Sequence, residues 1–453
     1  ALFERLFWGD NLLHERKEEQ VNVLQREATP DELVLGWAEH TDEATNETTI
    51  LPKGIAQEHR DTHMYVIGGS KTGKTKFLES LIEQDIKNGY PFGIIDPHGD
   101  MIEDIKGYLA LTKPERFLHN EVILIDPTDK KKTVTFNPLE RVQGLDSADQ
   151  AIELVEAFKK IWGAGIQARA EDLLKNTLIA LVENNLTLVE LPLFLQDISV
   201  RRKILQKVRH PICKQYFNRF DKLVGKTSTE WSESTLNKAN AFLSNNHIRD
   251  LFSAPKSSFN LRDIMDNKKI LLVKLDKGRL KANADLLGAL LMSKIQSAAF
   301  SRSDMPHNKR NIWYIYIDEF QNFATESFVQ MLAESRKYGV AVIMAHQNLA
   351  QLDNKLRASV LANAQLQVYF RISRDDSNIL AKEALAPIYQ NPPGWEAYIQ
   401  DLQELRHRVC VIKNKVEGGV IAVRTLDTPS PQEREGMDDE EYAQYVASRE
   451  IGK

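Results

Sequence analysis

The chain has 453 residues, 42% of them apolar and 27% charged, with a formal net charge of −5. That composition suits a globular protein of two or three domains and excludes a whole-chain basic footprint, so any nucleic-acid contact must come from local patches. Two cysteines far apart, Cys213 and Cys410, make neither a disulfide framework nor a metal site and suit a reducing interior, and no run approaches the ~20 apolar residues of a membrane span.

Residues 1–60 read as a charged helix followed by a small β lead-in. Helical spacing of apolar residues in Leu2–Trp8 predicts a docking helix rather than an interfacial anchor, because acids follow closely. Leu33–Trp37 and Thr48–Leu51 flank a polar turn, as the arms of a hairpin do. Next, Met64-Tyr65-Val66-Ile67 feeds Gly68-Gly69-Ser70-Lys71-Thr72-Gly73-Lys74-Thr75, and the helix continuing from Lys76 carries Phe77, Leu78, Leu81 and Ile82 on its apolar side. A strand, a Gly-x-x-x-x-Gly-Lys-Thr loop and a helix in that order form a phosphate cradle. The glycines let backbone N–H groups converge on phosphate oxygens, and the helix N-terminus adds partial positive charge. Residues Gly68 to Lys76 are therefore assigned to a nucleotide, with Lys74 reaching the β- and γ-phosphates and the Thr75 hydroxyl on Mg²⁺. A plain Gly-rich turn before a helix is the bland alternative, and the complete pattern with both flanks in place disfavours it.

Phe92–Asp96 and Val122–Asp126 are short apolar runs ending in Asp, separated by helix-like stretches at 76–88 and 101–111. Such β–α–β alternation with unalternating strands belongs to a buried parallel sheet. From 146 to 265 apolar residues fall three and four apart, through 148–162, 170–184, 201–208 and 234–243, which predicts an all-helical insertion. The β/α alternation resumes with Ile270–Leu275, Ile312–Ile317, Val340–Met344 and Leu366–Phe370. After Pro392-Pro393-Gly394, the stretches Trp395–Ile399, Arg408–Ile412 and Gly419–Arg424 read as an antiparallel edge, and the acidic tail from Ser430 reads as flexible. The domains expected are 1–60, the nucleotide-binding parts 61–145 and 266–428, the all-α insertion 146–265, and the tail 429–453.

In an open α/β sheet, ligands lie outside the carboxyl ends of the strands. A nucleotide hydrolase needs an acid at that edge, and Ile312–Ile317 followed by Asp318-Glu319 supplies a pair. Asp318 is expected to hold Mg²⁺ through water, and Glu319 to orient and deprotonate the attacking water. The alternative for such an Asp is a helix cap. Val340–Met344 returns to the same edge with His346-Gln347-Asn348, where Gln347 either senses the γ-phosphate and places water or is a loop amide. Asp96, in Asp96-Pro97-His98-Gly99-Asp100, either joins the site or forms a turn. Arg336 ends the helix that leaves Asp318-Glu319. About ten helical residues carry it ~15 Å from its own site, so it reaches a neighbour's nucleotide in a ring, or else makes a surface ion pair. Arg169 is a second candidate for that role.

These motifs resemble the FtsK/HerA group of hexameric DNA-pumping ATPases, and more narrowly the coupling ATPases of type IV secretion and conjugation, the TraD/TraG family. The matching features are Gly68–Thr75, Asp96–Asp100, Asn137-Pro138-Leu139, Trp162-Gly163 with Arg169–Leu174, Ile317–Phe320, Arg336–Gly339 and Ala345–Gln347, spread over roughly residues 60–410. The resemblance implies an α/β fold, a RecA-like P-loop NTPase core with a mainly parallel sheet and an inserted all-α domain. It implies ATP and Mg²⁺, a homo-hexameric ring with DNA through a central channel, a trans arginine carried to Arg336 and a γ-phosphate-sensing glutamine carried to Gln347. Relaxase and other type IV secretion components are the partners it suggests, at the cytoplasmic face of the inner membrane. Typical members carry N-terminal membrane helices and this sequence shows none, so membrane association is expected only if residues precede Ala1. A cytoplasmic HerA-like double-stranded DNA translocase working with a nuclease is one alternative. A nucleotide-gated platform that recruits secretion substrates is another.

For DNA, the segment Arg201-Arg202-Lys203 through Lys222 holds eight Lys/Arg against one acid, Asp221, with Tyr216, Phe217 and Phe220 interleaved. Basic side chains neutralise phosphates and aromatics stack on bases; a basic solvated face over buried aromatics is the equal alternative. A second patch, Lys268-Lys269 with Lys274, Lys277, Arg279 and Lys281, brackets a strand and is expected to face the channel, whereas Lys130-Lys131-Lys132 reads as a solvated turn. The DNA candidates are Arg201, Arg202, Lys203, Lys214, Lys277 and Arg279. Without a zinc or recognition-helix pattern, binding is expected to be sequence-blind and salt-sensitive.

Overall fold

The strands are β1 (Glu32–Thr41), β2 (Thr48–Ala56), β3 (Met64–Ile67), β4 (Phe92–Asp96), β5 (Val122–Ile125), β6 (Ile270–Lys274), β7 (Trp313–Ile317), β8 (Val340–His346), β9 (Leu366–Tyr369), β10 (Val409–Asn414) and β11 (Val420–Arg424). They form one sheet in the order β2-β1-β11-β10-β9-β3-β8-β7-β4-β6-β5. The computed structural model describes residues 32–41, 45, 48–129, 134–142, 144–163, 168–223, 226–382 and 395–450. The expected docking helix Leu2–Trp8, the turn Lys130–Lys132 and Pro392–Gly394 lie outside them.

From β9 to β5 every neighbouring pair is parallel. Strands β3, β4, β7 and β8 are buried along their whole length, which is why they read as unbroken apolar runs. Beyond β9 the pairing turns antiparallel, through β10 and β11 to the β1–β2 hairpin. The β lead-in is thus continuous with the main sheet, with Trp37 opposite Arg424.

One face of the sheet is covered by α1 (Lys74–Asn88) and α2 (Asp100–Thr112), whose Phe77, Leu81, Ile102 and Ile105 pack with Val66, Ile94 and Tyr316. Between β5 and β6 come helices including α3 (Ser147–Trp162), α4 (Ala168–Glu183), α5 (Ile198–Lys207), α6 (Pro211–Phe220) and α7 (Lys226–Leu243). With α8 (Ala282–Ser301) they share one apolar cluster with the other face of the sheet, in which Leu154, Leu178 and Phe217 join Ile95, Ile317 and Leu287. Asn137, fully buried, stitches this insertion closed. Its Nδ2 donates to the carbonyls of Leu186 (3.1 Å) and Pro255 (2.8 Å), and its Oδ1 accepts from Leu139 N–H.

Two expectations need correction. Trp395–Ile399 is the start of a helix, α9 (Trp395–Glu404), and no strand. Its buried Tyr398, Ile399 and Leu402, followed by Leu405, recur at helical spacing, a period that only a window longer than five residues reveals. The tail is not free chain: Pro431–Glu435 and α10 (Asp439–Glu450) are helical, and they lie on α1 and α2. Arg434 pairs with Glu83 at 2.7 Å and stands over the Tyr108 ring, while Tyr442 meets α2 at Gly107, where a Cβ would overlap its hydroxyl. Among the described residues no helix is long and apolar enough to cross a membrane.

Candidate active site

The phosphate-type loop leaves β3 at the carboxyl edge of the sheet and is pinned on both sides. Gly68 N–H donates to His346 at the end of β8 (3.3 Å) and Gly69 N–H to Arg371 just after β9 (2.9 Å). Positive φ at Lys71 (58°) and Gly73 (112°) turns the chain back into α1. The Thr72 hydroxyl closes the loop on Gly69 at 2.8 Å, and Arg408 N–H donates to Thr72 O at 2.9 Å. Glycine is required at position 73: besides its φ, a Cβ there would lie 3.1 Å from Arg408 Cα. No side chain caps α1, so the first-turn N–H groups, those of Thr75 and Lys76 among them, stay open to an anion.

Lys74 is buried, and its Nζ donates to the carbonyls of Gly68 (2.5 Å) and Gly69 (3.4 Å). Burial lowers its pKa, against the pull of Asp318 and Glu319. Thr75 is exposed at the mouth of the loop. Lys76 is different. Its ammonium is taken by Glu79 (2.6 Å) and Asp104 (2.8 Å), which leaves only its backbone N–H for the site.

Two strands away β7 delivers Asp318 and Glu319. Burial pushes the Asp318 carboxyl up to about 6, helped by the charges of Glu319 and Asp96 and opposed by Lys74. Asp96 meets both of its readings: it stands close enough to act on Asp318, and it also caps the next turn, accepting from His98 N–H (2.9 Å) and Ile102 N–H (3.3 Å). Glu319 has a left-handed backbone, φ 49°, and its side chain is buried. Its Oε1 accepts from Gln347 Nε2 at 2.9 Å, and the Gln347 Oε1 accepts from Ser70 Oγ at 3.3 Å. The four motifs on β3, β4, β7 and β8 therefore converge at one edge, as the topology requires. Preceding Gln347, His346 is held neutral by burial, its pKa pushed down to about 3, and its Nε2 meets Tyr65 Oη at 2.6 Å.

Sequence reasoning missed two neighbours. Arg408, the residue before β10, presses on Gly73 with its guanidinium tied to Asp427 and to Thr425 O, a contact that no local pattern announces. Gln321 donates to Glu319 Oε2 at 2.6 Å. Its one signal is an amide two residues after the acidic pair.

Arg336 lies elsewhere. It is exposed in the turn Ser335–Tyr338, beside Asp61 and His63 at the amino ends of the strands. The length of β3, about 13 Å for a four-residue strand, separates it from the loop of its own chain.

Of the DNA candidates, Arg201 is a correction. It is buried, pairs with Asp221 at 2.6 Å and donates to the carbonyls of Phe194 and Leu195, so its guanidinium is consumed inside the insertion. The interleaved Phe217 and Phe220 are core residues as well. Arg202, Lys203 and Lys214 stay exposed. Lys277 is bound to Asp285 (3.0 Å), and the exposed Arg279 leans on Asp276 (3.3 Å). Lys268 and Lys269 precede β6, while Lys274 ends it and Lys277, Arg279 and Lys281 follow, so the second patch is two patches at opposite edges of the sheet. Arg169 lies far from the loop in sequence, at a cleft of about 330 Å³ shared with Tyr216 and Arg219.

Residues 49–379 match the family described as the type IV secretion-system coupling protein DNA-binding domain. Among solved structures, the unbound bacterial conjugative coupling protein TrwBdeltaN70 superposes with a TM-score of 0.59 at 16% identity, over 91% of this chain and 92% of that one. The plasmid coupling protein TrwB in complex with ADP and Mg²⁺ gives 0.59 at 16% identity, over 91% and 93%. VirB4 of Thermoanaerobacter pseudethanolicus gives 0.56 at 14% identity, over 88% and 97%. At such identities the likeness is one of fold. No curated protein matches the chain.

Proposed function

Since the chain belongs to the family of type IV secretion-system coupling protein DNA-binding domains, we propose that it hydrolyses ATP to drive DNA through a six-membered ring of its own copies. The observation that carries this reading is the hydrogen-bonded path from Ser70 through Gln347 to Glu319, which ties the phosphate loop to an acid two strands away.

The cleft suits a magnesium-bound nucleoside triphosphate. Lys74 holds its charge against carbonyls, beside an uncapped helix N-terminus, and the Asp318 carboxyl is crowded by two other acids. No three or more His, Cys, Asp or Glu among the described residues form a ready metal cage. Thr75 and Asp318 would therefore share the ion with phosphate oxygens and water, the usual habit of Mg²⁺. When bound, that ion neutralises phosphate charge. Lys74 and the first N–H groups of α1 hold the β- and γ-phosphates. Glu319, fixed by its amides, takes a proton from water as the water oxygen bonds to the γ-phosphorus, and the bond to the β-phosphate oxygen breaks to release ADP and phosphate. Arg336, out of reach of its own loop, serves the next subunit. Arg202, Lys203, Lys214 and Arg279 contact the DNA backbone, and relaxase or other secretion components at the inner face of the membrane deliver the substrate.

Glu319→Gln is expected to bind ATP as wild type does and to lose roughly 10²-fold or more in turnover. Arg336→Ala should lose turnover that wild-type subunits restore in mixed rings. Hydrolysis retained by Glu319→Gln, or full activity in monomers, would overturn the reading.

A further inference from the structure

Glu319 is held by both of its oxygens. Gln347 Nε2 donates to Oε1 at 2.9 Å and Gln321 Nε2 to Oε2 at 2.6 Å. The two amides approach from different elements, Gln347 from the end of β8 and Gln321 from the single turn Phe320–Asn322 that follows the acid directly. A carboxylate only accepts, so the nitrogen of Gln321 must face it. The Gln321 oxygen is therefore turned away, and it is buried with no hydrogen-bond partner among the described residues.

That arrangement is unfavourable as architecture. A buried carbonyl oxygen left unpaired is a recognised cost, and an apolar side chain of the same length would fill the space without it. The left-handed backbone at Glu319 (φ 49°) adds strain at the same place. Gln321 itself is only 7% exposed, so solvent does little to offset the loss. What the amide provides in exchange is a second N–H donor, which stops the carboxylate rotating about its bond to Gln347. With one donor the acid can swing; with donors on both oxygens its plane is set.

We propose that Gln321 is a positioning residue for hydrolysis, holding the Glu319 carboxylate in the plane from which it accepts the proton of the attacking water. This rests on Glu319 being the base. Gln321 acts through Glu319, the group its amide donates to. Its partner Gln347 is bound to the loop through Ser70, so Gln321 is the fixed arm of the clamp and Gln347 the arm that nucleotide can move.

The test compares Gln321→Met, which keeps length and removes the donor, with Gln321→Glu, which sets a second carboxyl against the first. Steady-state ATPase, binding of a fluorescent ATP analogue and Tm are measured on the full chain with DNA and Mg²⁺. Gln321→Met is expected to lose roughly tenfold in kcat, with KM and nucleotide affinity within about twofold of wild type, and to keep its Tm within about 2 °C. Gln321→Glu should lose more. In a Glu319→Gln background, Gln321→Met should change nothing further, because the group it positions is gone. Wild-type kcat in Gln321→Met overturns the inference, as does a kcat loss that follows a fall in Tm in both variants. Hydrolysis surviving in Glu319→Gln alone would instead remove the functional reading beneath it.

Discussion

In the absence of nucleotide and Mg²⁺, replacing Asp318 by Asn should make the protein more stable while abolishing its chemistry. The carboxyl is raised from its ordinary 3.8 to about 6, chiefly by burial and then by Glu319 and Asp96. Keeping it charged near pH 8 costs up to about 3 kcal/mol, which partial exposure of the side chain screens to ~2 kcal/mol. The sign follows from the folded value lying above the unfolded one. Asp318 contributes its stability below 3.8, and that contribution is lost as pH rises through about 6. Asparagine keeps the shape and the oxygen that accepts Glu319 N–H (3.0 Å), and it never charges. Thermal unfolding followed from pH 4.5 to pH 8 should therefore show a small gap at the acid end that widens to a few degrees in favour of Asp318→Asn at the other. Adding Mg²⁺ with ADP should raise the wild type and leave the variant nearly unmoved. A variant less stable than wild type at pH 8, or a gap that does not open with pH, would refute the reasoning.

Arg201→Ala leaves Asp221 without its main partner and should destabilise the helical insertion by about 3 kcal/mol in denaturant unfolding, with the salt dependence of DNA binding unchanged. Arg202→Ala or Lys203→Ala, both exposed, should do the reverse: unchanged unfolding, and a slope of log K against log salt smaller by about 0.9 for each phosphate no longer neutralised. Gly107→Leu should displace the C-terminal helices from α2, since its side chain takes the place of the Tyr442 hydroxyl. Limited proteolysis near residue 430 should then cut readily, and protection equal to wild type would show that Tyr442 does not anchor the tail.

How much of this site could be read without coordinates depends on the range of the interaction that makes each part. The loop Gly68–Thr75 is local: strand, glycines and helix are consecutive, so the pattern is the structure. Asp318-Glu319 and Gln347 were legible because each follows an apolar strand of a parallel sheet, and the topology sends every such strand end to one edge. Arg201 shows where that logic stops. Its charge and its neighbours Tyr216, Phe217 and Phe220 have the composition of a nucleic-acid surface, but composition does not say which side of a helix faces inward. The pairing with Asp221, twenty residues on, turned the arginine into the core. Arg408 against Gly73 is longer in range still, set by the β10 ladder and by nothing near either residue.

The tail and Gln321 failed for a shared reason, though at different scales. Both are polar and held by specific partners, the Glu319 carboxylate for Gln321, and in the tail Glu83 for Arg434 and the absent Cβ of Gly107 for Tyr442. Hydrophobic periodicity, the strongest signal in a sequence, is blind to both. The residues it passes over are those that cost the fold something, and a buried amide with an orphaned oxygen is such a cost. A polar group under that penalty, next to a left-handed acid at the carboxyl edge of a parallel sheet, is what supports the positioning role proposed for Gln321.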